Sequence, residues 1–346
     1  MDGSQQATKV RYDFVSDNTA GMAPAALDAL IAANTGFAPA YGADATTARA
    51  ADLIRQMLDA DAEVRFIHSG TAANGLGLAL LAQPFETVLA YEHAHIKTDE
   101  VGAPGFFGQG TGVTGLPGVS GKIDEAALAA AMAEPYVGRL QPAGALSLTN
   151  ATEYGAVYTA PEIRHLAGLA KAAGLKTHLD GSRLANAVAA GFTLKGFGDL
   201  GVDVLVMGGA KAGASCTEAL VILDRTLARR IDARLKQAGQ VASKGRFLSA
   251  PFLGLLETGA WLAGAVHANR MAKRLGDAVA ARGRFALAHP VETNSVFLVM
   301  APGAQAALRE RGFASGRFHD NSVRFVCSWA TTEAAVDELA EALSLV

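Results

Sequence analysis

Short apolar runs alternate along this chain with glycine-punctuated stretches of helical spacing, and this alternation constrains the fold more than any other feature. Val204–Met207 and Ala219–Leu223 are continuous apolar runs, and Arg65–His68, Thr87–Tyr91, Ala143–Leu148 and Lys176–Leu179 are short strand candidates beside them. Strands that read this way belong in a sheet covered on both faces, which is usually parallel. Between them lie helical stretches. Thr71–Ala82 follows the first run. Thr159-Ala-Pro-Glu162 has capping-box spacing with proline in the first turn, and it opens a helix whose Ile163, Leu166, Ala167 and Ala170 share one face before a stop at Gly174. The predicted fold class is therefore α/β, with a mostly parallel central sheet sandwiched by helices.

The last third changes pattern. A helical stretch near Phe252–Leu275 leads to strand (Val296–Met300), helix (Pro302–Arg311), strand (Val323–Cys327) and helix (Thr332–Leu343). The expected organisation is an N-terminal arm over residues 1–45, a large ligand-binding domain over 46–252 and a small C-terminal α/β domain over 253–346. The arm holds one helix, Pro24–Ala33, and a segment ending at Tyr41-Gly42 that is expected to pack on a neighbouring subunit.

Composition excludes several classes. Thirty Lys and Arg against 33 Asp and Glu leave a formal charge of −3, with no basic patch for nucleic acid. Half the residues are apolar and 18% are charged, a globular profile. Cys216 and Cys327 form no disulfide framework, Met1–Lys9 lacks an apolar signal core, and no apolar run reaches the ~18 residues of a membrane span. The expectation is a cytoplasmic protein with neither a membrane nor a nucleic-acid partner.

Several motifs fail on inspection. Gly110-Thr-Gly-Val-Thr-Gly115 matches a dinucleotide loop by letters, but Pro117 and Gly118 deny it the helix that motif needs. Gly121-Lys122 lacks P-loop spacing, and no G-x-S-x-G elbow occurs. His93-Ala-His95 near Asp99 and Glu100 has no metal-ligand pattern to support it, so no metal is expected.

Four pieces remain, each at the end of a strand candidate, where open α/β sheets bind ligands. Ser69-Gly70-Thr71 joins a strand to a helix, where small residues and helix N–H groups suit an anion. His178-Leu-Asp180-Gly-Ser-Arg183 puts an acid and an arginine at a strand terminus. Gly208-Gly-Ala-Lys211-Ala-Gly213 puts a glycine-framed lysine after a buried strand, where desolvation makes an amine nucleophilic. His95 follows Thr87–Tyr91 and can lie flat on a planar ring. Together they suggest pyridoxal 5'-phosphate, with the phosphate on the Ser69 loop, Lys211 on the aldehyde carbon, Asp180 at the ring nitrogen and His95 on the ring. Arg183 and Arg324 are the planar cations available for a substrate carboxylate.

These residues carry a resemblance. Phe14-Val-Ser-Asp-Asn-Thr19, Tyr41-Gly-Ala-Asp44, Ser69-Gly-Thr-Ala-Ala-Asn74, His95 with Glu100, Leu179-Asp-Gly-Ser-Arg183, Gly208-Gly-Ala-Lys211 and Ser322-Val-Arg324 make the chain resemble the low-specificity L-threonine aldolases of the β-eliminating lyase group. That group belongs to the aspartate-aminotransferase-like fold, fold type I of the pyridoxal-phosphate enzymes. The resemblance implies that Lys211 is the Schiff-base lysine, that Asp180 pairs with the ring nitrogen and that His95 stacks. It assigns Ser69, Gly70, Thr71 and Arg183 to the cofactor site, and Ser16, Arg183 and Arg324 to the substrate carboxylate. It also implies a homodimer or homotetramer with shared sites, to which Tyr41, Lys244 and Arg246, with Arg234 nearby, contribute across subunits.

Two departures stand out. The frame is Gly-Gly-Ala-Lys rather than the Ser-Lys-Gly-Leu-Gly of many relatives. Asn150-Ala-Thr-Glu153-Tyr-Gly155 stands where another branch carries a histidine for the β-hydroxyl, which makes Glu153 the substitute candidate at the substrate. The implied activity is cleavage of L-β-hydroxy-α-amino acids (threonine, allo-threonine, phenylserine) to glycine and an aldehyde, with His95, Glu153 and His93 as base candidates. The competing readings are a phenylserine-specific aldolase, a β-eliminating lyase or aminotransferase on the same frame, a non-catalytic cofactor-binding protein, and an NAD-dependent dehydrogenase.

Overall fold

The computed structural model describes residues 12–133 and 140–346; the reading of Met1–Lys9 concerns residues outside that range. At the centre is a seven-stranded sheet built from β1 (Glu63–Ile67), β2 (Thr87–Tyr91), β3 (Gly112–Leu116), β4 (Ala143–Thr149), β5 (Lys176–Gly181), β6 (Val204–Gly208) and β7 (Glu218–Ile222). The order across the sheet is β1-β7-β6-β5-β4-β2-β3. The pairs from β3 through β6 are parallel. β7 alone runs against both of its neighbours, β1 and β6.

The mostly parallel sheet expected from the apolar runs is present. The reversal of β7 left no trace in its composition, because a strand buried on both faces reads as continuously apolar in either direction. The cause is the connection: the segment between Gly208 and Glu218 is too short for the crossover that a parallel neighbour requires. Every residue of β2, β6 and β7 is buried, so helices must cover both faces. The glycine-rich stretch dismissed as a nucleotide loop supplies β3, an edge strand.

Helices α1 (Pro24–Ala33), α2 (Ala45–Leu58), α3 (Gly70–Leu81), α4 (Ala160–Ala172) and α5 (Leu184–Ala189) follow or flank the strands. α3 lies across β5, β6 and β7, and α4 lies on β4 and β5. The capping box at α4 closes as its spacing predicts. Thr159 Oγ1 accepts from the Glu162 N–H at 3.3 Å, and Glu162 Oε2 accepts from the Thr159 N–H at 2.6 Å. Its Ile163, Leu166, Ala167 and Ala170 are buried, each large side chain contributing about 1.5–3 kcal/mol.

The helical stretch expected around Phe252–Leu275 is two helices, α6 (Arg246–Glu257) and α7 (Ala260–Arg282). The break falls at Gly259, whose φ of +74° ends the first and opens the second. α7 passes through two apolar clusters. Trp261 and Ala265 belong to the core of the large sheet, while Met271, Leu275 and Val279 belong to a second core with Val296, Phe325 and Leu339.

That second core is formed with a four-stranded antiparallel sheet of β8 (Ala286–Leu287), β9 (Ser295–Val299), β10 (Gly316–Arg317) and β11 (Val323–Val326), in the order β8-β9-β11-β10. Helices α8 (Pro302–Glu310) and α9 (Glu333–Ser344) complete it. Tyr12–Asp13 pairs with Phe313–Ala314, and Phe14 is buried in this second core. The start of the described chain therefore packs on its own later part, and α1 packs on α6.

Candidate active site

The C-terminal ends of β1, β2, β4, β5 and β6 lie along one edge of the sheet, and the loops that leave them carry most of the residues singled out in the sequence. Ser69 caps α3, its Oγ accepting from the Ala72 N–H at 3.3 Å. Gly70 and Thr71 form the first turn, so their N–H groups face outward with the positive end of the helix dipole behind them.

Asp180 is the last residue but one of β5 and is 2% exposed. Its Oδ1 accepts from the Ser182 N–H at 2.9 Å and from the Ser182 hydroxyl at 2.5 Å, and its Oδ2 accepts from Asn74 Nδ2 at 2.9 Å. Burial pushes its pKa up, but the Ser182 hydrogen bonds and the His95 and His178 rings outweigh burial and leave it below the usual carboxylate range. His178, two residues earlier, bonds Ser147 at 2.9 Å and is driven down to about 4 by burial, so it is neutral at pH 7.

Lys211 sits in the turn after β6. It lines a small cavity with Asn186, Asn294, Cys327 and Trp329, and its charge acts on Asp17, His95 and Glu218. The turn comes close to the Asp180 loop: a Cβ on Gly208 would stand 2.1 Å from the Ser182 carbonyl oxygen. No other residue type lets these two loops meet.

His95 is half exposed, and its Nδ1 lies 2.9 Å from Glu100 Oε1. Burial works against its charged form, yet the Glu100 hydrogen bond and the Asp180 charge outweigh burial and raise its pKa above 6.5. Burial raises Glu100, against hydrogen bonds from His95 and Asn74. Glu153 is buried beside it. Its Oε1 accepts from the His95 backbone N–H at 2.9 Å and from the Thr149 hydroxyl at 3.0 Å, and burial raises its pKa. The third base candidate, His93, is turned aside: its Nδ1 lies 2.7 Å from the Tyr154 hydroxyl, and its ring stacks on His319 with centroids 5.0 Å apart.

The two arginines differ. Arg183 is spent on Asp17, donating from Nε and from a terminal nitrogen at 2.8 Å each. Arg324 keeps a buried Nε without a partner, lies 4.9 Å over the Phe318 ring, and makes one long bond of 3.4 Å to the Val15 carbonyl. Burial and the neighbouring Arg183 lower its pKa to about 10. Ser16 caps the Asp17–Thr19 turn, accepting from the Asn18 N–H at 3.1 Å.

A second group lies elsewhere. Tyr41 is exposed, with Lys236 Nζ 4.6 Å above its ring. It lines a cavity of about 560 Å³, and Lys244 lines an adjoining one of about 750 Å³; Lys211 lines neither. Arg246 reaches the Gly36 carbonyl at 3.4 Å, and Arg234 donates to the Phe107 carbonyl.

Sequence reasoning gave no role to Asn74, Asp17, Asn294 or Glu218. Asn74 had a readable signal, being the one large polar residue inside the otherwise apolar and small α3. Asp17 and Asn294, which donates to it at 3.0 Å, are brought in by the second core and have no local signature.

Fold and site together define a class, the fold type I enzymes that use pyridoxal 5'-phosphate. A threonine aldolase from Leishmania major has the same fold with a TM-score of 0.90 at 32% identity, over 96% of this chain and 99% of that one. A histidinol-phosphate aminotransferase from Clostridium acetobutylicum gives 0.73 at 14% identity, over 96% and 98%, a likeness of fold alone. The model of one family, Beta-eliminating lyase, matches residues 13–302. The chain is 43% identical over 340 residues to the low specificity L-threonine aldolase of Pseudomonas sp. (strain NCIMB 10558), covering 96% of this chain and 97% of that protein. The low specificity L-threonine aldolase of Saccharomyces cerevisiae is 26% identical over 296 residues, 84% of this chain and 74% of that protein. The chain belongs to the beta-eliminating lyase family.

The residues fit the cofactor of this class. Asn74 Oδ1, Glu100 Oε2, Glu153 Oε2 and Arg324 Nε are buried without hydrogen-bond partners, and groups left so are rare unless a ligand or water completes them. They are joined to the ionised Asp180, the N-terminus of α3 and the amine of Lys211, which match a pyridinium, a phosphate and an aldehyde. Among the described residues no group of His, Cys, Asp or Glu is placed to hold a metal ion, and no helix is long and apolar enough to cross a membrane.

Proposed function

We propose that the chain cleaves L-β-hydroxy-α-amino acids, threonine and allo-threonine among them, to glycine and an aldehyde. The observation that carries this reading is the buried Asp180 carboxylate, held ionised by Ser182 and Asn74 within reach of unspent buried donors and acceptors. Bound pyridoxal phosphate supplies an electron sink for the carbanion left at the substrate Cα.

The rest falls to the chain. The Gly70 and Thr71 N–H groups take the phosphate. Lys211 would hold the cofactor through its amine. Asp180 would hold a proton on the nitrogen of the bound ring, and His95 would stand on the ring's side of the site. Arg324, with donors unspent, takes the substrate carboxylate; Arg183, paired with Asp17, orients the site behind it and adds a second cation. The β-hydroxyl proton passes to His95 or to Glu153, which share one hydrogen-bonded corner. The Cα–Cβ bond then breaks, the aldehyde leaves, and Cα takes up a proton. Positioning and charge delocalisation supply most of the acceleration.

The test is a panel of L-threonine, L-allo-threonine and phenylserine with the purified holoenzyme, run beside Lys211→Ala. Equimolar glycine and aldehyde from the parent, lost together with the visible absorbance in the variant, is the expected result. Keto-acid formation, or activity retained in Lys211→Ala, refutes the reading.

We also infer a cytoplasmic homodimer or homotetramer in which Tyr41, Lys244 and Arg246 complete the site of a partner. The support is that the cavities lined by Tyr41 and by Lys244 do not include Lys211, and that the exposed Ile31 lines the same cavity as Lys244. Co-expressing Tyr41→Ala with Lys211→Ala checks it: random pairing restores one intact site in hybrids, about a quarter of parental activity. Activity no higher than that of either variant alone excludes sharing.

A further inference from the structure

Glu218 opens β7, the one reversed strand, and the reversal gives it a place no other residue has. Its register partners are Ile67 on β1 and Gly208 on β6. Ile67 leads into Ser69-Gly70-Thr71, and Gly208 leads into Lys211. The start of an antiparallel strand between two parallel ones therefore falls between the anion loop and the lysine turn. The Glu218 side chain uses that place. It is 4% exposed, and its Oε2 accepts from the Gly209 N–H at 2.7 Å. The Ala210 N–H is turned to the same carboxyl group. Its Oε1 stands 4.0 Å from the Cβ position of Gly70. The charged groups that act on it are Lys211, from the turn after β6, and Asp180, from the end of β5. On the β1 side it meets apolar Ile67 and the loop that begins at His68.

We propose that Glu218 is a positioning residue which ties the lysine turn to the anion loop, holding the Gly209–Ala210 backbone that presents Lys211 and carrying a proton whenever a phosphate monoester sits on Ser69–Thr71. An ionised carboxylate beside that loop would oppose a phosphate dianion, whereas a protonated one does not and offers a donor. Loading the site then draws one proton from solvent to Glu218, with no other bond made or broken. Burial already prepares this, pushing the group up to about 7 against the pull of Lys211 and the two backbone N–H groups. The inference rests on the roles proposed above for Lys211 and Ser69–Thr71.

The probe is pyridoxine 5'-phosphate, which carries the phosphate but cannot condense with Lys211. Its affinity for the full-length apo protein is measured between pH 6 and 8.5 for the parent, Glu218→Gln and Glu218→Ala. Glutamine keeps an acceptor for Gly209 and stays neutral. It is expected to match the parent at pH 6 and to bind about fivefold more tightly at pH 8.5. Alanine is expected to weaken retention of pyridoxal phosphate at every pH, by about tenfold, with rescue by glutamine. Parallel parent and glutamine curves overturn the proposal, and the glutamine variant alone decides it if the alanine variant does not fold. Parallel curves, with the visible band lost in Lys211→Ala, overturn the role of Glu218 alone. Retention of that band in Lys211→Ala overturns the site assignment and this inference with it.

Discussion

Replacing Asp17 by Asn isolates the ion pair that joins the second core to the site. Asp17 and Arg183 side chains are 1% and 13% exposed, and two hydrogen bonds of 2.8 Å link them. Asn294 adds a third bond to the same carboxylate at 3.0 Å. Removing one partner of so buried a pair leaves an uncompensated guanidinium, a loss of about 3–5 kcal/mol. With an unfolding entropy of about 2.1 cal/mol/K per residue, the 346 residues turn that into a fall in Tm of about 4–7 °C. Calorimetry of the two apo proteins at pH 7 reads it directly. The pH dependence gives a second reading. Burial pushes the Asp17 carboxyl up, but the Arg183 guanidinium outweighs it and holds the group below its ordinary value. A depressed carboxyl contributes its full stability above the unfolded value of about 3.9 and loses it as pH falls through the folded value. The gap between parent and Asp17→Asn is therefore constant from pH 5 to 8 and closes only in strong acid. A fall in Tm under 1 °C, or a gap that closes near neutrality, refutes the account of this pair.

Asp180→Asn is expected to keep the cofactor, since the amide oxygen can still accept from the Ser182 N–H and hydroxyl, but to lower turnover about 100-fold or more, or about 2.7 kcal/mol; unchanged turnover shows that the ring charge is not set there. Glu100→Gln removes the partner that raises His95 above 6.5, so an acid limb of kcat/KM that requires neutral imidazole lies above pH 6.5 in the parent and moves to lower pH in the variant. A limb that stays in place excludes His95 as the titrating group.

The motifs on strand ends were legible because each carries its own local reason. A glycine pair before lysine, an acid closing a buried strand and small residues before an apolar helix all announce themselves within six residues. Asn74, Asp17 and Asn294 were not legible to the same degree, because each acts on a residue far away in the chain. Asn74 bonds Asp180 across 106 residues, and Asn294 bonds Asp17 across 277. Both contacts depend on how α3 and the second core settle, which no window of sequence contains. Arg183 shows the consequence. Its planar fork marked it as a candidate for the substrate carboxylate, but the partner it holds here is Asp17, and of the two arginines it is Arg324 that retains a buried donor without a partner.

The reversed strand carries the same lesson further. Ala219–Leu223 was readable as buried, and its direction was not, yet direction decides which end of β7 meets the ligand edge. Had the connection after Lys211 been long enough for a helix, the strand would have run with its neighbours. Ile222 would then lie at that edge, and Glu218 would lie at the far end of the sheet, some four residues away at about 3.3 Å each. The short turn after β6 thus does two things at once. It holds the lysine at the sheet edge, and by forcing the next strand back it delivers an acid to the lysine's side. Lengthening that turn should therefore loosen cofactor binding even where the insertion touches no cofactor-binding residue.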